Sequence, residues 1–224
     1  MIIRAVFLDF YGTVVEEDDK YIGQICSKIA DSSSKHVSAS EVGYFWQKDF
    51  FASYTNSYGD TFKKQRELQI SSLEKTISHF QSSGDAKELC SVLFSYGQKP
   101  IIFKESKDFI DKVTMPVIIV SNIDNEDIML AIEEHKIDVD EIITSEDAKS
   151  YKPRTEIYKL ALDVMGFDAS EVIHIGDSWN SDIIGAKDAG IRSIWVNRKN
   201  KKIRNDAKPV GICNNLLDAI GYFT

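Results

Sequence analysis

Twelve residues near the start, "RAVFLDFYGTVV" (Arg4–Val15), decide how the chain reads. An apolar run ends on one carboxylate, Asp9, and a turn with Gly12 follows. A continuous apolar run of this length is a strand buried on both faces. The same texture returns in "PVIIVSN" (116–122), "EIITS" (141–145), "EVIHIGDS" (171–178) and "IRSIWVN" (191–197). Between these lie helix patterns: "NEDIMLAIEEHKI" (125–137), "KPRTEIYKLALDVMG" (152–166, closed by Gly166), "NSDIIGAKDAG" (180–190) and, last, "NNLLDAIGYF" (214–223). Strands alternating with helices predict an α/β fold, a Rossmann-like parallel sheet with helices on both faces.

The segment between the first two strands has another texture. "YIGQICSKIADS" (21–32), the aromatic-rich "SEVGYFWQKDFFASYTNS" (40–57), "DTFKKQRELQISSLEKTISHF" (60–80) and "DAKELCSVLFSYG" (85–97) carry apolar residues at helical spacing and contain no proline. Ser40 and Asp85 are the expected caps of the second and fourth helices. The expected division is an α/β core of residues 1–15 and 98–224, with a four-helix bundle inserted over 16–97.

Composition narrows the functional classes. The 224 residues carry a formal charge of −8, which argues against a nucleic-acid partner and leaves room for a small anionic substrate held by a local positive site. No leader pattern or bilayer-length apolar run stands out, so a cytoplasmic protein, monomer or homodimer, with no membrane partner is expected. Cys26, Cys90 and Cys213 are far apart and odd in number, which reads as reduced core residues without zinc-ligand spacing.

Ligands of such sheets bind beyond the carboxyl ends of the strands. Asp9, Ser121, Asn122 and Asp177 fall there, with Asp182 just beyond and Lys152 opening a helix. Singly, each reads as a turn former, a helix cap or a solvated loop residue. Together they form a set of oxygen ligands and one ammonium, suited to Mg2+ bridging to an anionic group, with a carboxylate as candidate nucleophile.

These stretches resemble the four motifs of the haloacid dehalogenase-like hydrolase superfamily: "DFYGT", "VIIVSN", "YKPRTEIY" and "IGDSWNSDIIGAKDAG". The inserted helices resemble that family's four-helix cap. The resemblance implies that Asp9 is the nucleophile of a covalent aspartyl intermediate. It makes Thr13 a support of its loop and Ser121 and Lys152 partners of the transferring group, with Asn122 beside them. It makes Asp9, the Tyr11 carbonyl, Asp177 and Asp182 the Mg2+ site. Most phosphatases of the family carry a second acid where Tyr11 stands; L-2-haloacid dehalogenases carry a tyrosine there, attack carbon and need no metal. Against the dehalogenase pattern, this chain keeps Asp177 and Asp182, and "YFWQKDFF" (44–51) offers no arginine to a substrate carboxylate. The expectation is a Mg-dependent phosphatase of a small phosphorylated metabolite. The alternatives are a dehalogenase-like hydrolase acting at carbon and a catalytically weak binding or regulatory protein.

Other features read more plainly. Glu16, Glu17, Asp18 and Asp19 form a hinge, one of whose acids could reach the site. The basic run 197–206 reads as a solvated loop, and Lys48, Lys63, Lys64 and Arg66 as a solvated helix face with substrate contact as the alternative. His174, inside a strand, reads as a core residue or a neighbour of the site.

Overall fold

The computed structural model describes residues 2–223. The opening run forms β1 (Ala5–Leu8), buried at every position. It lies inside a parallel six-stranded sheet of order β3-β2-β1-β4-β5-β6, built with β2 (Val117–Ser121), β3 (Glu141–Thr144), β4 (Val172–Gly176), β5 (Arg192–Val196) and β6 (Gly211–Cys213). Leu8 stands opposite Ile119 on one side and Ile175 on the other, so Asp9, Ser121 and Asp177 leave the sheet at one end.

Alternate residues of β1 feed two cores. Val6 and Leu8 pack with Phe10, Phe109, Ile119, Ile128 and Leu216. Ala5 and Phe7 pack with Ile118, Val120, Ile157, Tyr158 and Ala186 on the other face. This period of two is why the strand carries no polar residue until it ends.

After Val15, which bridges back to Ile102, the chain leaves the sheet and forms α1 (Asp19–Ser32), α2 (Ala39–Thr55), α3 (Gln65–Phe80) and α4 (Ala86–Gln98). Ile25, Ile29, Val42, Trp46, Leu73, Ile77, Phe80 and Leu93 give these helices their own core, which also holds Cys26 and Cys90. All three cysteines are free and buried.

Several local expectations shift. Ser38, not Ser40, caps α2, in a reciprocal capping box with Glu41. Asp85 caps α4 as expected. α3 starts at Gln65, and Gly59–Thr61 is a separate single turn. The core helices are α5 (Ser106–Lys112), α6 (Asn125–His135), α7 (Ser145–Ala148), α8 (Glu156–Met165), α9 (Gly185–Asp188) and α10 (Leu216–Ala219). Gly166 ends α8 in the left-handed conformation, as its sequence position predicts. α5, α7 and β6 were not expected, because such short elements carry no full hydrophobic period. Among the described residues, no helix is long and apolar enough to cross a membrane.

Candidate active site

The end of β1 fixes the centre of the site. The Asp9 amide donates to the Ile175 carbonyl at 2.9 Å, and the turn folds Thr13 back so that its Oγ1 donates to Asp9 Oδ2 at 2.8 Å. Gly12 makes this turn possible: its φ is +88°, and a Cβ there would lie 2.6 Å from Asp177 Oδ1. Opposite, Asn122 holds the loop that carries Lys152, accepting from its amide at 2.7 Å and donating to its carbonyl at 2.9 Å. Lys152 Nζ then donates to Asp9 Oδ1 and Asp182 Oδ1, both at 2.7 Å. Asp182 sits in the wide turn Trp179–Ile184 that follows β4. Its other oxygen accepts the Ser178 amide at 2.8 Å, and Oδ1 also meets His174 Nε2 at 3.0 Å.

Burial sets the charge states. Lys152 is 1% exposed and Asp182 1%. Burial disfavours the Lys152 ammonium, but Asp182 and Asp9 outweigh it and hold the group charged. Burial alone would raise Asp182, yet Lys152 and His174 hold it well below the usual carboxylate range. Burial keeps His174 neutral, so its proton belongs on Nε2, donated to Asp182, while its buried Nδ1 has no partner. Asp9 is pushed up to about 6, by burial first, with Asp182 adding and Lys152 opposing. Asp177 is pushed up to about 8 by burial and by the nearby Asp9 and Asp182 carboxylates, against which Lys201, at 3.3 Å, weighs little.

Asp9, Asp177 and Asp182 can each present an oxygen within 4.8 Å of the others. An all-carboxylate set fits a hard divalent cation, and the two raised carboxyls are the sign of negative charge that protons or a cation must relieve. Asp182 already accepts three hydrogen bonds, so Asp9 and Asp177 are the open donors.

The site opens into a cleft of about 510 Å³ between the sheet end and the inserted helices. Ser121, Asn122 and Tyr11 line it, with Asp127 and the hinge acids Glu17, Asp18 and Asp19. The Tyr11 side chain is turned to a structural contact: its hydroxyl donates to the Gly97 carbonyl at 2.6 Å, where the chain returns from α4. Burial, with Asp127 and Asp18 nearby, holds that phenol protonated far above its ordinary value. Asp18 is half-buried and pushed up to about 6 by burial and its acidic neighbours, and it lines the cleft; Glu17 and Asp19 pair with Lys199.

Two readings of charged residues need correction. Residues 197–206 are not simply solvated: Arg198 donates to the Thr13 carbonyl at 2.9 Å, pairs with Glu105 and lies 3.7 Å over the Phe103 ring, while Lys201 reaches Asp177. Arg66 is paired with Asp127, and Lys64 pairs with Glu146 at 2.7 Å; both tie α3 to the core rather than facing solvent alone. The aromatic wall of the cleft (Trp46, Phe50, Tyr54, Phe94) also escaped the sequence reading, although the aromatic density of α2 marked where it lies.

Comparison with known proteins agrees with this geometry at the level of family. The haloacid dehalogenase-like hydrolase family matches residues 3–190. The chain is 25% identical to an (S)-2-haloacid dehalogenase of Pseudomonas fluorescens, over 96% of this chain and 94% of that one. It is 34% identical to a glyceraldehyde 3-phosphate phosphatase of Methanothermobacter thermautotrophicus, over 30% of each chain. The crystal structure of the L-2-haloacid dehalogenase RSc1362 superposes with a TM-score of 0.80 at 16% identity, covering 100% of this chain and 99% of that one. The match across most of the sequence and the four motifs gathered at one sheet end make this chain a member of the haloacid dehalogenase-like hydrolases.

Proposed function

We propose that the chain is a divalent-cation-dependent phosphatase working through a covalent intermediate on Asp9. The observation that carries this reading is the charge of the cleft. Seven carboxyl side chains line it, from Asp9, Glu17, Asp18, Asp19, Asp127, Asp177 and Asp182; Lys199, Arg66 and Lys201 meet Glu17, Asp19, Asp127 and Asp177 from beside the cleft, and within the lining Lys152 is the one ammonium. Lys152 is already divided between two of them. A substrate anion entering such a site needs a further positive charge. Asp9 and Asp177, with the Tyr11 carbonyl and Asp182 behind them, would hold Mg2+, which supplies that charge to the phosphoryl oxygens.

Asp9, ionised above about pH 6, attacks phosphorus, and the P–O bond to the leaving group breaks with its electron pair. Thr13 fixes the carboxylate for that attack. Lys152 and the Ser121 hydroxyl face the transferring oxygens, and Asn122 keeps Lys152 in place. Water then attacks the aspartyl phosphate at phosphorus, restoring Asp9, releasing phosphate and giving its proton to solvent.

A second reading, hydrolysis at carbon, has specific support. Similarity along the whole chain is to 2-haloacid dehalogenases, whereas the phosphatase relative matches about a third of it, so the comparisons favour this alternative. Tyr11 also fits it. Asp9 would then displace halide from the substrate carbon, with Asp177 carrying a proton. The open carboxylates and the want of a free cation for a substrate carboxylate weigh the other way.

Quenching the protein in acid during turnover of phenyl phosphate tests the proposal. Mass mapping should find a phosphoryl group on Asp9, absent from Asp9→Asn. A carbon ester on Asp9 after incubation with a 2-haloacid, without any phosphoryl adduct from the phosphate, would overturn it.

A further inference from the structure

The cap side of the cleft differs from the acidic sheet end. Trp46, Phe50, Tyr54 and Phe94 line it together with the amides of Gln47, Gln65 and Gln69. The wall is braced from behind. Tyr54 stacks on Tyr151 at 4.0 Å, Phe50 meets Tyr54 at 5.2 Å, and Trp46 Nε1 donates to Ser72 at 3.0 Å. Among the described residues, no lysine or arginine of the cap lines the cleft. Arg66 of α3 is committed elsewhere: its guanidinium is bound to Asp127 and lies 4.7 Å over Phe94.

We infer that the substrate's leaving group is an uncharged aromatic alcohol, seated against Trp46, Phe50 and Tyr54 with its polar edge toward the glutamine amides. This rests on the phosphatase reading and narrows it: a second phosphate or a carboxylate on a substrate seated against this wall would meet no lysine or arginine there and would add to an acidic cleft, the cap's Lys20 lying in the adjoining cavity on the far side of Asp177 and the hinge acids. A flat ring gains from offset or edge contact with such a wall. Tyr11 points the same way from a different observation. Its phenol is committed to Gly97 and supplies no proton to a departing alkoxide, whereas an aryloxide leaves with the P–O electron pair and takes its proton from water.

Calorimetric binding of three phosphonates to the Mg2+-loaded protein tests this: phenylphosphonate, methylphosphonate and 4-carboxyphenylphosphonate. Phenylphosphonate should bind tighter than methylphosphonate by on the order of tenfold, and the added carboxylate should remove that gain. Phe50→Ala should shrink the phenyl-to-methyl ratio. Gln47→Arg, at an exposed position on the cleft, should invert the preference between the phenyl and carboxyphenyl ligands, with circular dichroism reporting that both variants fold. Equal binding of methyl and phenyl ligands, or a preference for the carboxylated one in the wild type, would overturn the inference and leave the phosphatase reading standing. Failure of every phosphonate to bind would remove both.

Discussion

Asp9 and Asp177 depart from ordinary aspartates in the same direction, and the direction fixes a pH dependence. Their folded values lie near 6 and 8, above the 3.8 of a free side chain. The folded protein therefore keeps protons that the unfolded chain gives up. Stability from these groups is present at the acid end and is lost as pH rises through both values. Asp182 is shifted the other way, so its contribution is lost only as pH falls below the ordinary carboxylate range. The metal-free protein should therefore lose Tm as pH rises from about 4, where the unfolded carboxyls ionise, to about 8, the Asp9 share being spent by about 6, and Asp177→Asn should flatten the slope above about pH 6. A Tm that rises over this range in the wild type would contradict the assignment. Tyr11→Phe gives a complementary result: loss of its hydrogen bond to Gly97 should cost about 1 kcal/mol and leave the pH–rate profile unchanged. Loss of a limb of that profile would return the phenol to proton transfer. Asp9, Ser121, Asn122 and Asp177 were legible as neighbours because each stands at the end of a strand in a sheet of known polarity, and Lys152 and Asp182 because they fall in the segments next to those ends. His174 was read as a core residue or a neighbour of the site and is both, buried against Asp182; Arg198 and Lys201 were not legible, since nothing local to a side chain states which distant residue it reaches.

At the scale of elements, α3 shows how the inserted helices are held to the sheet. Its N-terminus has no cap of its own. The carboxylate of Asp124, just past β2, accepts the amides of Gln65 and Arg66 at 2.7 and 3.1 Å, and Asp127 on α6 takes the Arg66 side chain. A core loop therefore caps a helix of the insertion. Asp124→Ala should cost about 0.5–2 kcal/mol, the usual range for a lost N-cap. It should also raise amide exchange at the start of α3 while leaving the middle of α1 unchanged. Protection unaltered at Gln65 and Arg66 would show that the contact carries no weight. The long elements were readable from periodicity alone, since β1, β2, β4 and α1–α4 each display a full apolar pattern. The start of α3 was placed too early because the apolar repeat runs back to Phe62, whereas the helix begins at Gln65 with a cap that arrives from residue 124. β6, three residues long, shows no pattern before the fold pairs it with β5.

For the whole molecule, two surfaces with opposite character meet at one cleft. The sheet end supplies a nucleophile, a buried ammonium and open carboxylates. The face that the inserted helices turn to this cleft supplies aromatic rings and amides and no lysine or arginine. Fold and family follow from the motif order and the sheet polarity, but the choice between phosphorus and carbon turns on how much weight Asp177 carries against Tyr11. The family match gives a hydrolase and does not name the bond it breaks. One measurement decides it: phosphate release from phenyl phosphate and halide release from (S)-2-chloropropionate, assayed side by side with Mg2+ and with excess chelator. The account predicts phosphate release that depends on the metal and on Asp177, with no halide above the Asp9→Asn background. Halide release that chelation leaves intact, with no phosphate released under either condition, would contradict it.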